Sequence, residues 1–131
     1  MSRQVEGSQV GSITALRAGD RRQIGEESVM RGTPLGNPFL VRAGRGAEPA
    51  VEAYWRLLQG RGTAHEIGRA SGIPVHESQG RVSRARMLGA LGRLVARVRA
   101  GEAVFVRCRC RHAVCHAHMV REWVAREVAR G

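Results

Sequence analysis

The alternation of apolar and polar residues changes its period along the chain, and each change marks an element. Ile13-Thr-Ala-Leu16-Arg alternates weakly with a period of two, which predicts a first strand. Ser28-Val29-Met30 predicts a second. Gly19-Asp20 between them supplies turn chemistry, so the pair is expected to form a hairpin. Arg31-Gly-Thr-Pro-Leu-Gly-Asn-Pro-Phe39 then brings two prolines and two glycines, which exclude a regular ladder or helix and predict an ordered loop.

Helical periodicity follows. Pro49 suits the first position of a helix, where its missing N–H costs nothing, and Val51, Tyr54, Trp55 and Leu58 share one face before Gly60. Thr63-Ala-His-Glu66 has the form of a capping box and predicts a short helix to about Ser71, stopped by Gly72-Ile-Pro74. Residues 75–81 read as loop. From about Val82 to Ala100 a long helix carries a core arc of Met87, Leu88, Leu91, Leu94, Val95 and Val98. Arg86, Arg93 and Arg97 form a cationic stripe across from it. Ala85, Gly89, Gly92 and Ala96 make a third strip, whose glycines each cost about 1 kcal/mol against alanine unless a neighbouring backbone packs closely.

Ala103 to Cys110 alternates as a strand, with Val104, Val106, Cys108 and Cys110 on one face and Phe105, Arg107 and Arg109 on the other. A last helix runs to about Ala129, its buried side built from Met119, Val120, Trp123, Val124 and Val128, and Cys115 is expected in its first turn. The fold class predicted is α/β. A small sheet, made of the N-terminal hairpin plus the C-terminal strand, packs with three or four helices in a Rossmann-like manner. Residues 1–11 read as a flexible lead-in, 12–131 as a single domain, and 61–81 as an inserted loop or short helix.

Composition narrows the function classes. Formal net charge is +11, and with no lysine present all 22 basic residues are arginine. Such an excess attracts polyanions, nucleic acid above all, although GC-rich coding and a solvated surface explain it equally well. Aromatics make up only 4%, too few for a base-stacking platform. Lysine-dependent chemistries are excluded, and with Asp20 the only aspartate a two-metal nuclease site would rest on glutamates alone. No stretch has the apolar length of a membrane helix and no export signal is visible, so a cytoplasmic, reducing location without membrane association is expected.

The chemistry concentrates in one place. All three cysteines lie in Cys108-Arg-Cys110-Arg-His112-Ala-Val-Cys115-His116, with His118 just beyond. Three readings stay open. Cys108, Cys110, Cys115 and His116 or His112 offer a three-thiolate, one-imidazole set for zinc, though C-x-C in a strand gives its thiols little freedom to converge. A reactive thiol is the second reading: Cys115 at a helix start favours thiolate, with His116 or His112 as base. The third is a buried structural junction. A disulfide is the outcome least suited to this compartment.

The proline–asparagine loop together with Cys108-x-Cys110 and Cys115-His116 resembles the bacterial and phage domain-of-unknown-function family four-three-two-six, over about residues 13–128. The resemblance implies that loop and cysteine segment belong to one site. Gly36, Asn37 and Pro38 would then join Cys108, Cys110, Cys115 and His116, with Arg31 a further ligand-binding candidate and Cys115 and His116 the catalytic ones. Family members often carry an aromatic where this chain has Arg109. The function expected is binding of a nucleotide or nucleic-acid ligand in that pocket, with an enzymatic role on a nucleotide or base left open. The alternatives are a DNA-binding regulator contacting phosphates through Arg86, Arg93 and Arg97, and a zinc-stabilised interaction module. Ala64 to Arg86 also has the flavour of a helix-turn-helix, which would bring Arg81, Arg84 and Arg86 to DNA, but its turn is far too long.

Overall fold

The computed structural model describes residues 10–42, 44–110 and 114–131. Strands β1 (Ser12–Leu16), β2 (Glu27–Ser28) and β3 (Ala103–Arg107) form one sheet in the order β1-β3-β2. Five helices lie among the described residues: α1 (Glu48–Leu58), α2 (Ala64–Ser71), α3 (Glu77–Gly80), α4 (Arg84–Arg99) and α5 (His116–Ala129). The result is a small α/β fold. Helix α5 packs on β1, β3, α4 and α1, and α4 also packs on β3.

The expected hairpin does not form. Both N-terminal strands pair parallel to β3, which lies between them, with Leu16 and Ser28 each level with Arg107. The chain between β1 and β2 loops out at one end of the sheet and returns to nearly the same level. The loop is organised by a side chain from β3. Arg107 is buried, and each of its five N–H donors is matched. Its Nε donates to Glu26 Oε2 at 2.7 Å, its Nη2 to Glu26 Oε1 and the Arg21 carbonyl at 3.0 Å each, and its Nη1 to the Asp20 carbonyl at 2.9 Å and to the Arg17 carbonyl. Strand β3 ends at Arg107, so Cys108 and Cys110 lie just beyond it, not within it as the alternation suggested.

Two helices, α1 and α2, start within a residue of where the sequence places them. Pro49 lies in the first turn of α1, and the buried face includes Val51, Tyr54, Leu57 and Leu58. Thr63 and Glu66 close a complete capping box at α2. Residues 75–81, expected as loop, contain the helical turn α3, capped by the His76 ring accepting from the Gln79 N–H. The 61–81 segment contains the short helix α2, and Ala64, Ile67 and Gln79 in it are buried. Gly68 shows why this segment packs tightly: a Cβ there would stand 2.6 Å from Val75 Cγ2 and 2.8 Å from the Ile73 carbonyl.

On α4 the arc of Met87, Leu91, Leu94, Val95 and Val98 is buried, while Leu88 is 42% exposed. It lies at the edge of the arc, where Ala90 takes the inner position. The small-residue strip also differs from expectation. Ala85, Gly89, Gly92 and Ala96 are exposed, and a Cβ at either glycine would meet nothing within 4 Å. No close packing offsets the helix propensity lost there. Among the described residues no helix is long and apolar enough to cross a membrane.

Candidate metal centre and ligand cleft

The end of β3 and the start of α5 meet over the core. Cys115 is the N-cap of α5, one residue earlier than the first-turn position expected, with extended φ −146° and ψ 144°. Its sulfur faces the Ala117 N–H at 3.5 Å, one of the orphan donors of the helix start. His116, the next residue, is held from two sides. Tyr54 packs on its ring with centroids 4.9 Å apart at 72°, and its Nε2 lies 2.5 Å from the Val29 carbonyl. A carbonyl only accepts, so Nε2 carries a proton. The other ring nitrogen, Nδ1, faces sulfur: Cys108 Sγ is 3.8 Å away and Cys115 Sγ 3.9 Å. One donor atom from each of Cys108, Cys115 and His116 lies within 4.8 Å of the others, and all three residues are buried.

This arrangement sets the protonation of the pair. Cys108 is pushed well below the ordinary thiol range, first by a hydrogen bond from Cys115 and then by His116, against the opposing effect of burial. Cys115 is pushed up, first by its bond to Cys108 and then by burial. Tyr54, wholly buried, is raised by desolvation and stays a neutral donor, its hydroxyl 2.6 Å from the Leu35 carbonyl. His118 lies outside the cluster, its pKa lowered first by burial and then by Arg17 and Arg121.

The expected ligand set is only partly assembled. Cys110 is half-buried and falls outside the set whose donor atoms all meet one another, although its thiol reaches Cys115 and helps to raise it, and its N–H lies 3.4 Å from Cys108 Sγ. His112 falls outside the described residues. What the three convergent donors do have is an outlook. They form part of the wall of a cleft of about 540 Å³, a size suited to a small ligand. The same cleft is lined by Arg31, Asn37 and Phe39 from the proline–asparagine loop and by Arg109 and Cys110 from the cysteine segment. Segments separated by some seventy residues in the chain thus share one cavity.

Not every predicted residue faces it. Pro38 is fully buried and Gly36 is packed inside the loop, where a Cβ would stand 2.6 Å from the Met30 carbonyl and 2.7 Å from Gln79 Oε1. Both shape the loop and do not line the cleft. Asn37 lines it, but its Oδ1 accepts from the Phe39 N–H at 2.9 Å and its Nδ2 lies 3.4 Å from the Ala50 carbonyl. Arg31 is exposed, its Nε 3.2 Å from the Asn37 carbonyl. The loop is anchored by a residue the sequence did not advertise. Gln79 accepts from the Gly32 N–H at 2.6 Å and donates to the Thr33 carbonyl at 2.8 Å. A glutamine in a stretch of turn residues carries no periodic signal.

The arginines proposed for nucleic acid lie elsewhere. Arg86 and Arg93 are exposed on α4, while Arg97 pairs with Glu102 at 2.9 Å. Of the helix-turn-helix candidates, Arg84 donates to the Leu57 and Leu58 carbonyls at the end of α1, and Arg81 pairs with Glu77.

A family model described as Domain of unknown function (DUF4326) matches residues 14–126. The chain belongs to this family. The span matched in this DUF4326 member contains both the Arg31–Phe39 loop and the Cys108–His116 segment, the two parts that the cleft joins. No curated protein and no solved structure matches the chain significantly.

Proposed function

We propose that this DUF4326 protein binds a nucleotide-class anion in its cleft, beside a zinc ion held by Cys108, Cys115 and His116. The observation that carries the reading is the orientation of the His116 ring. A ring that donates from Nε2 to a backbone carbonyl and turns its other nitrogen toward two buried sulfurs is oriented as metal-ligating histidines are. Thiolate and imidazole are the donors zinc takes, and zinc would hold the two sulfurs together. The reading requires reduced thiols, and hence a reducing compartment such as the cytoplasm.

The ligand class follows from the lining. Arg31 and Arg109 supply positive charge, while Met30, Phe39 and Val51 supply an apolar wall against which a base can lie. Elemental analysis of protein purified under reducing conditions tests the metal, with about one zinc per chain expected. Near-zero zinc, and no rise in melting temperature on adding it, would remove the centre. Thermal shifts with nucleoside monophosphates and with the free nucleosides test the ligand. Stabilisation by the phosphates alone is expected, about 2.7 kcal/mol at a hundredfold excess over Kd.

A further inference from the structure

We infer that the metal centre keeps one coordination position open to the cleft, and that Arg109 and Arg31 hold a phosphate group against it. The inference rests on the zinc reading above and adds the fourth position to it.

The donor count is the starting point. Structural zinc sites close with four protein ligands, whereas three protein ligands leave a position for water or substrate. Among the described residues only Cys108, Cys115 and His116 bring donor atoms together. Cys110 is the obvious fourth, and its thiol reaches Cys115, yet its sulfur is outside the group in which every donor meets every other. The Asn37 amide is engaged by the Phe39 N–H and the Ala50 carbonyl of α1, and no carboxylate lines the cleft among the described residues. With its protein donors on the buried wall, the metal has its remaining side toward the cavity.

Charge selects what occupies that side. Two thiolates neutralise Zn²⁺, so an anion at the open position must find its compensating charge elsewhere. Arg109 directly follows Cys108 and is exposed on the cleft. Arg31 is oriented through its Nε, and among the described residues neither guanidinium is paired with a carboxylate. Two guanidinium forks beside one metal position match a tetrahedral oxyanion, one oxygen on the metal and the others on nitrogen. A phosphate monoester meets that description, and so does free phosphate. The cleft is larger than phosphate alone requires, which favours the ester.

Cobalt(II) in place of zinc reports the coordination directly. The full chain, loaded with one equivalent of Co²⁺ under reducing conditions, should show tetrahedral d–d and thiolate charge-transfer absorption. Cys110→Ser should leave both metal stoichiometry and charge-transfer intensity unchanged. Adenosine monophosphate, ribose 5-phosphate and inorganic phosphate should each shift the d–d bands saturably, the nucleotide at the lowest concentration. Arg109→Ala should raise the apparent Kd for all three about tenfold or more without loss of cobalt. Loss of charge-transfer intensity in Cys110→Ser, or d–d bands unmoved by any of the phosphates, overturns the open position while the metal site stands. Phosphate binding unchanged in both Arg109→Ala and Arg31→Ala overturns the clamp. Failure of the wild-type chain to take up cobalt or zinc overturns the parent reading and this inference with it.

Discussion

Arg107 and Cys108 are neighbours in the chain, and each is the centre of a buried polar cluster, yet the two clusters differ in what they leave unsatisfied. Arg107 has used every donor it owns on Glu26 and three loop carbonyls. Its guanidinium is the hub of the loop between β1 and β2, and it has nothing left to offer a ligand. Cys108 faces a second sulfur and an imidazole nitrogen, three metal-ligating atoms with a cleft beside them. A buried polar group that is fully matched is architecture. One that is under-matched and borders a cavity has binding capacity.

The largest expected effect breaks the comparison on the Cys108 side. Cys108→Ser, Cys115→Ser or His116→Ala should each reduce bound zinc from about one per chain to near zero by elemental analysis. A hydroxyl is a poor zinc ligand at neutral pH, and the two remaining donors do not suffice. The stabilisation that zinc confers on the wild type should vanish with it, about 4 kcal/mol at a thousandfold excess over Kd. Retention of zinc in all three variants would mean that the sulfurs are only a packed junction.

Next comes the contrast between two nearby arginines. Arg107→Ala leaves Glu26 and three carbonyls without their donor and should lower Tm clearly, with ligand affinity little changed in the protein that remains folded. Arg109→Ala, on an exposed residue, should leave stability within about 0.5 kcal/mol of wild type while weakening phosphate binding. Swapped outcomes would reverse the assignment of hub and ligand contact.

These residues also show how far the sequence was legible. The capping box at Thr63, the proline in the first turn of α1 and the α4 arc rest on local spacing, and Leu88 apart they formed as read. The meeting of loop and cysteine segment came from a resemblance between motifs, not from periodicity. The hairpin failed because two nearby short strands predict each other as partners, whereas the true partner, β3, lies about ninety residues on. Arg107 was read as a strand residue of the polar face because no local pattern announces a guanidinium that builds a loop around itself. The same holds for the Val29 carbonyl, which orients the His116 ring from the other end of the chain. Leu88 shows the resolution limit of a helical arc, since a residue at its edge turns outward when alanine fills the inner position.

Gln79→Ala tests whether the cleft depends on support from behind. Its two hydrogen bonds tie α3 to residues 32 and 33 of the loop bearing Arg31 and Asn37. Their loss should cost about 1–3 kcal/mol, read from urea midpoints, and should weaken phosphate binding without changing zinc content. Equal affinity at reduced stability would show that the loop holds its shape unaided.

The smallest expected effect belongs to the saturated cluster and appears only in acid. Glu26 is held down from 4.5 to about 2, first by its hydrogen bonds to Arg107 and then by the Gln23 N–H, against some desolvation. A carboxylate with a depressed folded pKa stabilises the fold above its unfolded value, and that contribution is lost as pH falls through the folded one. The Glu26 contribution should therefore be complete above about pH 4.5 and decline toward about pH 2. Urea midpoints for wild type and Glu26→Gln, taken at intervals across that window, isolate it. The gap between the two proteins should be widest near neutrality and shrink as the wild-type carboxylate takes up its proton. A gap that stays constant with pH would mean that Glu26 acts on the loop through shape alone. The matched character of the Arg107 hub would then lie in the three carbonyls and not in the ion pair.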